Sequence, residues 1–592
     1  MLSVSQFKEL NIPTTCTKFK NAKTMWVNSE AILSLPPEYH HLKNSDAFCD
    51  TFAYGISGTE CFEGLEFDIN DTLTVQAERY GGAGTLAHGG GVRTGTFDRF
   101  QLKGIGSNIL EGKMLRLHHS YGGADLKTSL QEVISTLVLD EILPLGTVAI
   151  YGIIHVSAEA GYHVAHNPET YGPDDYYLKR GDGIILVREA FIRPAHFIQC
   201  PIFQPISKQI RAKSDTGRTR IANKRLNELL GGKNGYIQFM GKYLSASANQ
   251  LAFAKIYGIA HNALSPSNIS LDGRWVDTWE TNYGVGRLYK SDLNPSLNFE
   301  QERIIAQVQE CVLSFAKFNR IELNPDVLSK YYIEQSQAYF EYYIPFLLGL
   351  DGVDLSDPKI KSCIEVLSKK ISSDVCSLAM GLESYSDRYQ NSLLVIFLSE
   401  LFSSAVALYE EGGERVSVET SACLELWKQA AKEAGVSQEN VLHFAMSKII
   451  VSMRRAYFVR IFNMDSYVYS NSDESLKEYV YKQCDSDDKF NCVPRFIEGV
   501  RESIKWIMAT PVDSAVVLFE TCSIKVTFDY SDSKYTFVDQ YLNKTFLFSS
   551  FDELKGFLHS RHKDLILYGH DFTGYLEVLD RLLVSEELEC LV

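Results

Sequence analysis

The chain of 592 residues has no apolar run long enough for a membrane-spanning helix. Such a helix needs about 18 consecutive apolar residues, and the most apolar stretch, 135–153, is interrupted by Asp140, Glu141 and Pro144. The first residues also lack a basic segment followed by an apolar one, the pattern of a secretory signal peptide. We therefore expect a cytoplasmic protein with no membrane span.

Cysteine motifs that bind metals and an excess of positive charge are also missing. The 12 cysteines are scattered from Cys16 to Cys590, with no CxxC pair and no dense Cys/His cluster. Neither a zinc site nor a disulfide framework is therefore expected. The formal net charge of -16 repels phosphate backbones and argues against nucleic-acid binding, although a local group of basic residues can still bind a nucleotide.

Three regions of the chain differ in residue pattern. Residues 1–245 mix glycine-rich turns with short β-like runs and one helical pattern, which predicts an α/β lobe. Residues 246–505 carry apolar positions three and four apart, which predicts a mainly helical region. Residues 506–592 return to β-like runs, which predicts a small α+β appendage. Because one hydrophobic core rarely serves so long a chain, we expect two or three domains.

The individual elements are predicted from the same periodicities. Strands are expected at 100–103, 148–152, 183–187, 515–520 and 524–528. Helices are expected at 128–141, 300–318, 331–347, 392–408 and 551–559.

The segment 261–268 reads HNALSPSN and is followed by Asp277. Protein kinases have the pattern HRDxxxxN and, shortly after it, an aspartate that binds magnesium. The spacing from His261 to Asn268 matches this pattern, and amide and carboxylate oxygens are suitable ligands for Mg²⁺. The catalytic aspartate of kinases is replaced by Ala263, which cannot accept a proton. Ordinary kinase chemistry is therefore disfavoured.

A lysine and a glutamate upstream are spaced as in a nucleotide site. Lys103 ends the predicted strand 100–103, and Glu132 lies on the predicted helix that follows. A strand lysine can hold nucleotide phosphates, and a helix glutamate can orient that lysine.

A glycine-rich segment, 80–93, precedes Lys103. A backbone without side chains can approach phosphates closely. Gly89, Gly91 and Arg93 are therefore candidate nucleotide-binding residues.

Together these motifs resemble the SelO (YdiU) family of kinase-like protein adenylyltransferases. The family has sequences similar to QLKG at the strand lysine, IREFL at the helix glutamate and HGxxNTDNMS before the metal-binding aspartate. This chain has QLKG at 101–104, LQEVI at 130–134 and HNALSPSNIS at 261–270. The segment LVREAFIRPAHF at 186–197 resembles the family's arginine-bearing segment and contributes Arg188 and Arg193. The resemblance covers about residues 75–320.

The resemblance implies an α+β, protein-kinase-like bilobal fold with an extended helical C-terminal region and a small α+β C-terminal appendage. In the family, ATP is flipped relative to kinases and AMP is transferred to protein hydroxyls. The implied phosphate ligands are Lys103, Arg188 and Arg193. Glu132 would orient Lys103, and Asn268 with Asp277 would hold Mg²⁺, or Mn²⁺ in its place. The implied catalytic residues are Lys103, Glu132 and Asp277.

One departure from protein kinases, at 263, and one from the family, at 267, leave three functions open. Ala263 and Ser267 stand where carboxylates would be expected. AMP transfer to a protein hydroxyl needs in-line geometry and charge neutralisation more than a strong base. AMP transfer to a peptide carboxylate needs no base at all, and peptide maturation of the microcin type would use it together with a partner transferase. The third function is that of a pseudokinase scaffold that binds nucleotide without catalysis.

Overall fold

The structure is a computed structural model. It describes residues 2–82, 89–112, 121–166, 176–210, 214–257, 259–283, 296–350, 357–374, 398, 401–405, 417–458, 480, 488–510, 514–521, 523–529, 531–532, 534–561, 566–567, 570–571, 575–576 and 579.

Nine strands of the N-terminal part form one antiparallel sheet. They are β1 (Asn11–Phe19), β2 (Lys23–Val27), β3 (Tyr54–Gly55), β4 (Phe67–Glu78), β5 (Thr94–Phe97), β6 (Phe100–Lys103), β7 (Ala124–Asp125), β8 (Ile150–His166) and β9 (Tyr176–Glu189). Their spatial order is β2-β8-β9-β6-β5-β4-β1-β3, and β7 pairs with β9.

The two faces of this sheet differ in chemistry because side chains alternate along each strand. On β6, Phe100 and Leu102 belong to an apolar core that also contains Val187 of β9. The intervening Gln101 and Lys103 lie on the other face and are also buried. Burial of polar side chains is costly unless they are paired. The polar residues of this second face must therefore have partners, and they mark a candidate site.

Twelve helices are described. They are α1 (Ser29–Leu33), α2 (Ser45–Phe52), α3 (Leu126–Ile142), α4 (Thr216–Leu230), α5 (Lys233–Ile256), α6 (Ser296–Asn319), α7 (Pro325–Leu347), α8 (Pro358–Asp374), α9 (Val418–Glu433), α10 (Val441–Phe458), α11 (Lys489–Met508) and α12 (Phe551–His559). α3 packs against β8 and β9 on one side and against α11 on another, which is why polar as well as apolar residues of α3 are buried.

Eight further strands lie beyond the large sheet. They are β10 (Ile259–Ala260), β11 (Asn282–Tyr283), β12 (Ala515–Glu520), β13 (Ile524–Asp529), β14 (Lys534–Asp539), β15 (Lys544–Phe548), β16 (Ile566–Leu567) and β17 (His570–Asp571). β12 to β15 form a four-stranded antiparallel meander, and α12 packs against β14 and β15. β12 packs against α10 and α11.

The mixed α+β class predicted from the sequence is confirmed. The predicted strands coincide with or overlap β6, β8, β9, β12 and β13, and the helix predicted at 551–559 coincides with α12. The helix predicted at 128–141 is α3, and those at 300–318 and 331–347 lie within α6 and α7. Most of 392–408 lies outside the described residues.

The largest apolar core includes residues from Val4 to Leu579 and draws on the large sheet, the helices and the C-terminal meander. Over the ranges that the structure describes, no helix has both the length and the apolar character needed to cross a membrane.

Candidate functional site

The polar face of the large sheet meets α3 at a cluster of four charged side chains, three of them buried and the fourth, Asp277, half-buried. Lys103 Nζ lies 2.6 Å from Glu132 Oε2 and 2.7 Å from Asp277 Oδ1. Arg188 Nη1 lies 2.9 Å from Glu132 Oε1 and 2.8 Å from Asp277 Oδ1. Two cations and two carboxylates therefore pair in a closed ring, and four distant segments of the chain contribute one residue each.

The sheet register places the two cations side by side. Gln101 of β6 pairs with Arg188 of β9, and Lys103 stands two residues further along β6 on the same face. Arg188 Nε donates to Gln101 Oε1 at 2.6 Å. This hydrogen bond fixes the guanidinium so that its Nη1 reaches the two carboxylates.

The carboxylates come from outside the sheet. Glu132 lies on α3, whose first turn is capped by Asp125, the acceptor of the Thr128 amide. Asp277 follows an antiparallel bridge between Ile269 and Trp275 and adopts a left-handed backbone with φ 55°. Such a conformation is uncommon for a residue other than glycine and is found often at functional sites.

The ring is held together by its own charges. Burial by itself would raise the pKa of Asp277, but Arg188 and Lys103 hold it well below its ordinary value. Burial would likewise lower the pKa of Arg188, but Asp277 and Glu132 raise it. Asp277 is thus ionised at neutral pH, and its side chain is the most exposed of the four, at 20%.

The loop 261–268 is bonded to the residue that precedes Asp277. Asn268 Nδ2 donates to Ala263 O at 2.9 Å, and Asn268 Oδ1 accepts from Ser267 Oγ at 3.1 Å. The Val276 amide donates to Asn268 O at 3.1 Å, which ties the loop to the residue that precedes Asp277. The loop and the aspartate therefore form one local unit.

A buried glutamate of α6 anchors the start of this loop. Glu300 Oε1 accepts the Asn262 amide at 2.7 Å, and Glu300 is 1% exposed. Burial raises the pKa of Glu300 to about 8, although hydrogen bonds from the backbone and the charge of Arg303 oppose the shift. His261 Nε2 lies 2.9 Å from Val276 O, and burial lowers the pKa of His261 to about 4, so this ring is neutral and acts structurally.

Arg193 lies outside the four-residue ring and makes a second ion pair. Its Nη2 lies 3.3 Å from Glu78 Oε2, and its Nη1 donates to Ser267 O at 2.7 Å. Both Arg193 and Glu78 are buried. Arg193 thus contacts the loop that bears Asn268, whereas Lys103 and Arg188 contact Asp277 directly.

The glycine-rich segment is described only in part, because 83–88 lies outside the described residues. Gly89 has a φ of 67°, and a Cβ there would lie 2.5 Å from the Phe203 ring. A Cβ on Gly91 would lie 2.2 Å from Thr94 Oγ1. Arg93 donates to Gly123 O at 3.4 Å, and its carbonyl accepts the Gly104 amide at 2.8 Å. These three residues shape the turn beside Lys103, and no contact with the charged ring is described for them.

The donors present fit Mg²⁺ with a nucleotide. Both ion pairs of Asp277 use Oδ1, and no hydrogen bond from the described residues reaches Oδ2. A carboxylate oxygen and an amide oxygen are suitable partial ligands for Mg²⁺, which usually keeps waters and substrate phosphates as its other ligands. The described ranges contain no group of three or more His, Cys, Asp or Glu arranged for a metal, so the pair Asn268 and Asp277 is the candidate.

The sequence analysis did not single out Glu78, Gln101, His196 or Glu300. Gln101 and Glu78 are buried polar residues on the same sheet face as Lys103 and Arg188, and the alternation of β4 and β6 was the available signal. Nothing in the local sequence around Glu300 indicates its role, because the Asn262 amide that it binds is 38 positions away.

No protein-family model matches this chain, and no curated protein matches it significantly.

Proposed function

We propose that this protein binds ATP with Mg²⁺ in a kinase-like core, as in the SelO family, and transfers AMP to a protein or peptide acceptor. The observation that carries the proposal is the ring of Lys103, Glu132, Arg188 and Asp277, whose oxygen–nitrogen distances are all between 2.6 and 2.9 Å. A buried ring of alternating charges gives little stability for its desolvation cost, whereas it preorganises two cations for phosphate oxygens.

The order of the elements supports the kinase-like part of the proposal. The glycine-rich segment 80–93 stands between β4 and β5 in the sequence, the lysine ends β6, and the glutamate that pairs with it lies on the next long helix, α3. Kinases use these same parts to cover the phosphates, hold them and orient the lysine. The 261–268 loop and Asp277 follow in the kinase order.

Each residue of the ring has a chemical task in this proposal. Asp277 and Asn268 would hold Mg²⁺, which supplies positive charge to phosphate oxygens. Lys103 and Arg188 would bind the phosphates and neutralise the charge that develops as pyrophosphate leaves. Glu132 contacts both cations and would hold them in place when Asp277 turns to the metal.

A peptide carboxylate is a second candidate acceptor. It is favoured because the acidic side chains of the ring are paired with cations and leave no evident base in the ring. Glu132 and Asp277 each pair with two cations, and positions 263 and 267 carry alanine and serine. Within the described ranges, both carboxylates of the ring are thus already engaged by cations and are poor candidates for a base. A carboxylate is already ionised at neutral pH, and the resulting acyl-adenylate would pass to a partner transferase.

The experiment that tests the proposal compares ATP labelled at the α-phosphorus with ATP labelled at the γ-phosphorus. With a lysate or a candidate peptide as acceptor, we expect α-label on the acceptor, or pyrophosphate release if the adduct is a labile acyl-adenylate. Hydroxylamine distinguishes the two adducts, because it captures a mixed anhydride and leaves a phosphodiester intact. Lys103→Ala and Arg188→Ala should abolish the signal, and Lys330→Ala, whose side chain is 80% exposed, is the matched control.

Two outcomes would contradict AMP transfer. Movement of γ-label alone would return the protein to the kinase class. Bound ATP with neither label transferred would favour a pseudokinase scaffold.

A further inference from the structure

The short segment 193–196 bridges the glycine-rich turn and the 261–268 loop through its backbone. The Gly81 amide donates to Ala195 O at 2.8 Å, and the Ala195 amide donates to Pro266 O at 3.0 Å. One residue, Ala195, is therefore bonded on one side to the turn after β4 and on the other side to the loop that bears Asn268.

The Arg193 side chain reinforces the same bridge. Its guanidinium donates to Ser267 O and pairs with Glu78. It also packs against two rings, 4.5 Å from the Tyr80 centroid and 4.1 Å from the Phe191 centroid. Two of its nitrogens are bonded to protein atoms and only 2% of the residue is exposed, so the guanidinium is held as a structural link rather than presented to a ligand.

Glu78 supplies the counter-charge for this link and holds it from a third side. Glu78 is fully buried at the end of β4, and His196 Nε2 lies 3.7 Å from its Oε2. His196 Nδ1 accepts the Arg193 amide at 3.2 Å. Burial would raise the pKa of Glu78, but His196 and Arg193 lower it below its ordinary value, so that Glu78 is ionised at neutral pH.

We propose that Glu78, Arg193 and His196 form a brace that sets the position of the 261–268 loop relative to the glycine-rich turn. In this role Arg193 is a positioning residue for Asn268 and does not bind phosphate. The inference rests on the proposed function, because the brace serves to place a metal ligand beside a nucleotide turn. It assigns Arg193 a task different from that of Arg188, although both lie in the same arginine-bearing segment.

The two roles of Arg193 predict opposite effects of removing Glu78. If Arg193 is a phosphate ligand held back by Glu78, Glu78→Ala frees it and tightens ATP binding. If Arg193 is part of a brace, Glu78→Ala and Arg193→Ala both weaken magnesium-dependent ATP binding, by about 10- to 100-fold as for other residues that orient metal ligands. The double variant should then be no worse than Arg193→Ala, since that variant already removes the ion pair with Glu78.

The measurement is titration calorimetry with ATP, with and without Mg²⁺, on the full chain. If the three residues act as a brace, the Glu78 and Arg193 variants should bind ATP without Mg²⁺ with a Kd within about twofold of the wild type, because Lys103 and Arg188 are unchanged. Arg188→Ala is the comparison and should weaken ATP binding under both conditions. Glu78→Gln keeps the shape and one acceptor, so it provides a folded variant if Glu78→Ala does not fold. Tighter ATP binding by Glu78→Ala or Glu78→Gln would overturn the brace.

A second readout needs neither metal nor nucleotide. Hydrogen exchange in the ATP-free protein should increase at the Gly81, Ala195 and Asn268 amides in Glu78→Gln and Arg193→Ala. It should stay unchanged there in Lys103→Ala, and unchanged exchange in the brace variants would overturn the inference. If the wild type binds no ATP, the proposed function fails while this exchange measurement still decides whether the brace exists.

Discussion

At the scale of single residues, Asp277 has the most demanding task in the site. It is the only member of the ring with substantial exposure, at 20% of its side chain, and it accepts from both cations on one oxygen. Its companion Asn268 offers a neutral amide oxygen, which is a weaker ligand for Mg²⁺ than a carboxylate.

We therefore predict that Asp277→Asn abolishes the magnesium dependence of ATP binding and that Asn268→Ala weakens it less. Binding is measured by the rise in melting temperature with ATP at increasing Mg²⁺, since a ligand of the folded state stabilises it by mass action. Asp272→Asn serves as the control, because Asp272 pairs with Arg274 in the same hairpin. A full magnesium response in Asp277→Asn would refute the metal assignment.

The raised pKa of Glu300 predicts that the free energy of unfolding falls as the pH rises. Burial raises the pKa of its carboxyl from an ordinary value of 4.5 to about 8, so the folded protein retains a proton that the unfolded chain releases. The stabilising contribution is complete below pH 4.5 and is lost as the pH rises toward 8. The slope is about 1.4 kcal/mol per pH unit.

Glu300→Gln imitates the protonated carboxyl and should remove this slope. The variant should gain stability relative to the wild type as the pH rises from 5 to 8, measured by urea unfolding at each pH. Glu302→Gln, an exposed neighbour on α6, should follow the wild type. Parallel pH profiles for Glu300→Gln and the wild type would show that Glu300 is ionised when folded.

At the scale of elements, α11 fastens the helix that carries Glu132. It packs against α3 and β2 and makes polar contacts with the N-terminal region along its length. Trp26 Nε1 donates to Glu498 Oε1 at 3.0 Å, Arg501 Nη2 donates to Asn28 Oδ1 at 2.9 Å, and Lys505 Nζ lies 3.3 Å from Glu30 Oε1. A helix more than 350 positions further along the chain thus supports one carboxylate of the site.

We predict that Arg501→Ala lowers the free energy of unfolding by about 1–3 kcal/mol, because Asn28 loses a buried donor. Hydrogen exchange in α3 should increase, since α3 loses part of its support. Glu502→Ala, an exposed position on the same helix, is the matched control. If stability falls but hydrogen exchange in α3 does not change, α11 does not support the helix that carries Glu132.

At the scale of the whole molecule, the C-terminal meander is joined to the helices by a buried arginine. Arg454 of α10 donates to the carbonyls of Ile507 at 3.0 Å and Val517 at 2.6 Å, and also to that of Ala509. It therefore binds the end of α11 and the first strand of the meander at once. The largest apolar core crosses the same boundary.

We predict that Arg454→Ala destabilises the entire protein by about 3 kcal/mol or more, because the buried Ile507 carbonyl and the part-buried carbonyls of Ala509 and Val517 lose their donor. Unfolding should remain a single transition, with tryptophan fluorescence and far-ultraviolet circular dichroism changing together. Arg225→Ala is the control, since Arg225 forms an exposed pair with Glu228. Separate melting of the C-terminal region in the wild type would show that it is an independent domain.

The sequence by itself determined the α+β class and the place of most helices and strands, and it proposed the four residues that form the ring. It could do so because period and spacing are local properties: α3, β6 and α12 follow from apolar positions within their own segments. Lys103, Glu132, Arg188 and Asp277 were identified by their order along the chain and by resemblance.

Only the tertiary structure decided which of these side chains meet. The pairing of Gln101 with Arg188 across β6 and β9 placed Arg188 in the ring, while the bridge through Ala195 placed Arg193 against Glu78. Two arginines five positions apart in one segment therefore have different partners. The partner of each arginine depends on strand pairing and on loops that the core brings together. Such contacts join residues far apart in the chain, so they leave no periodic signal in the sequence.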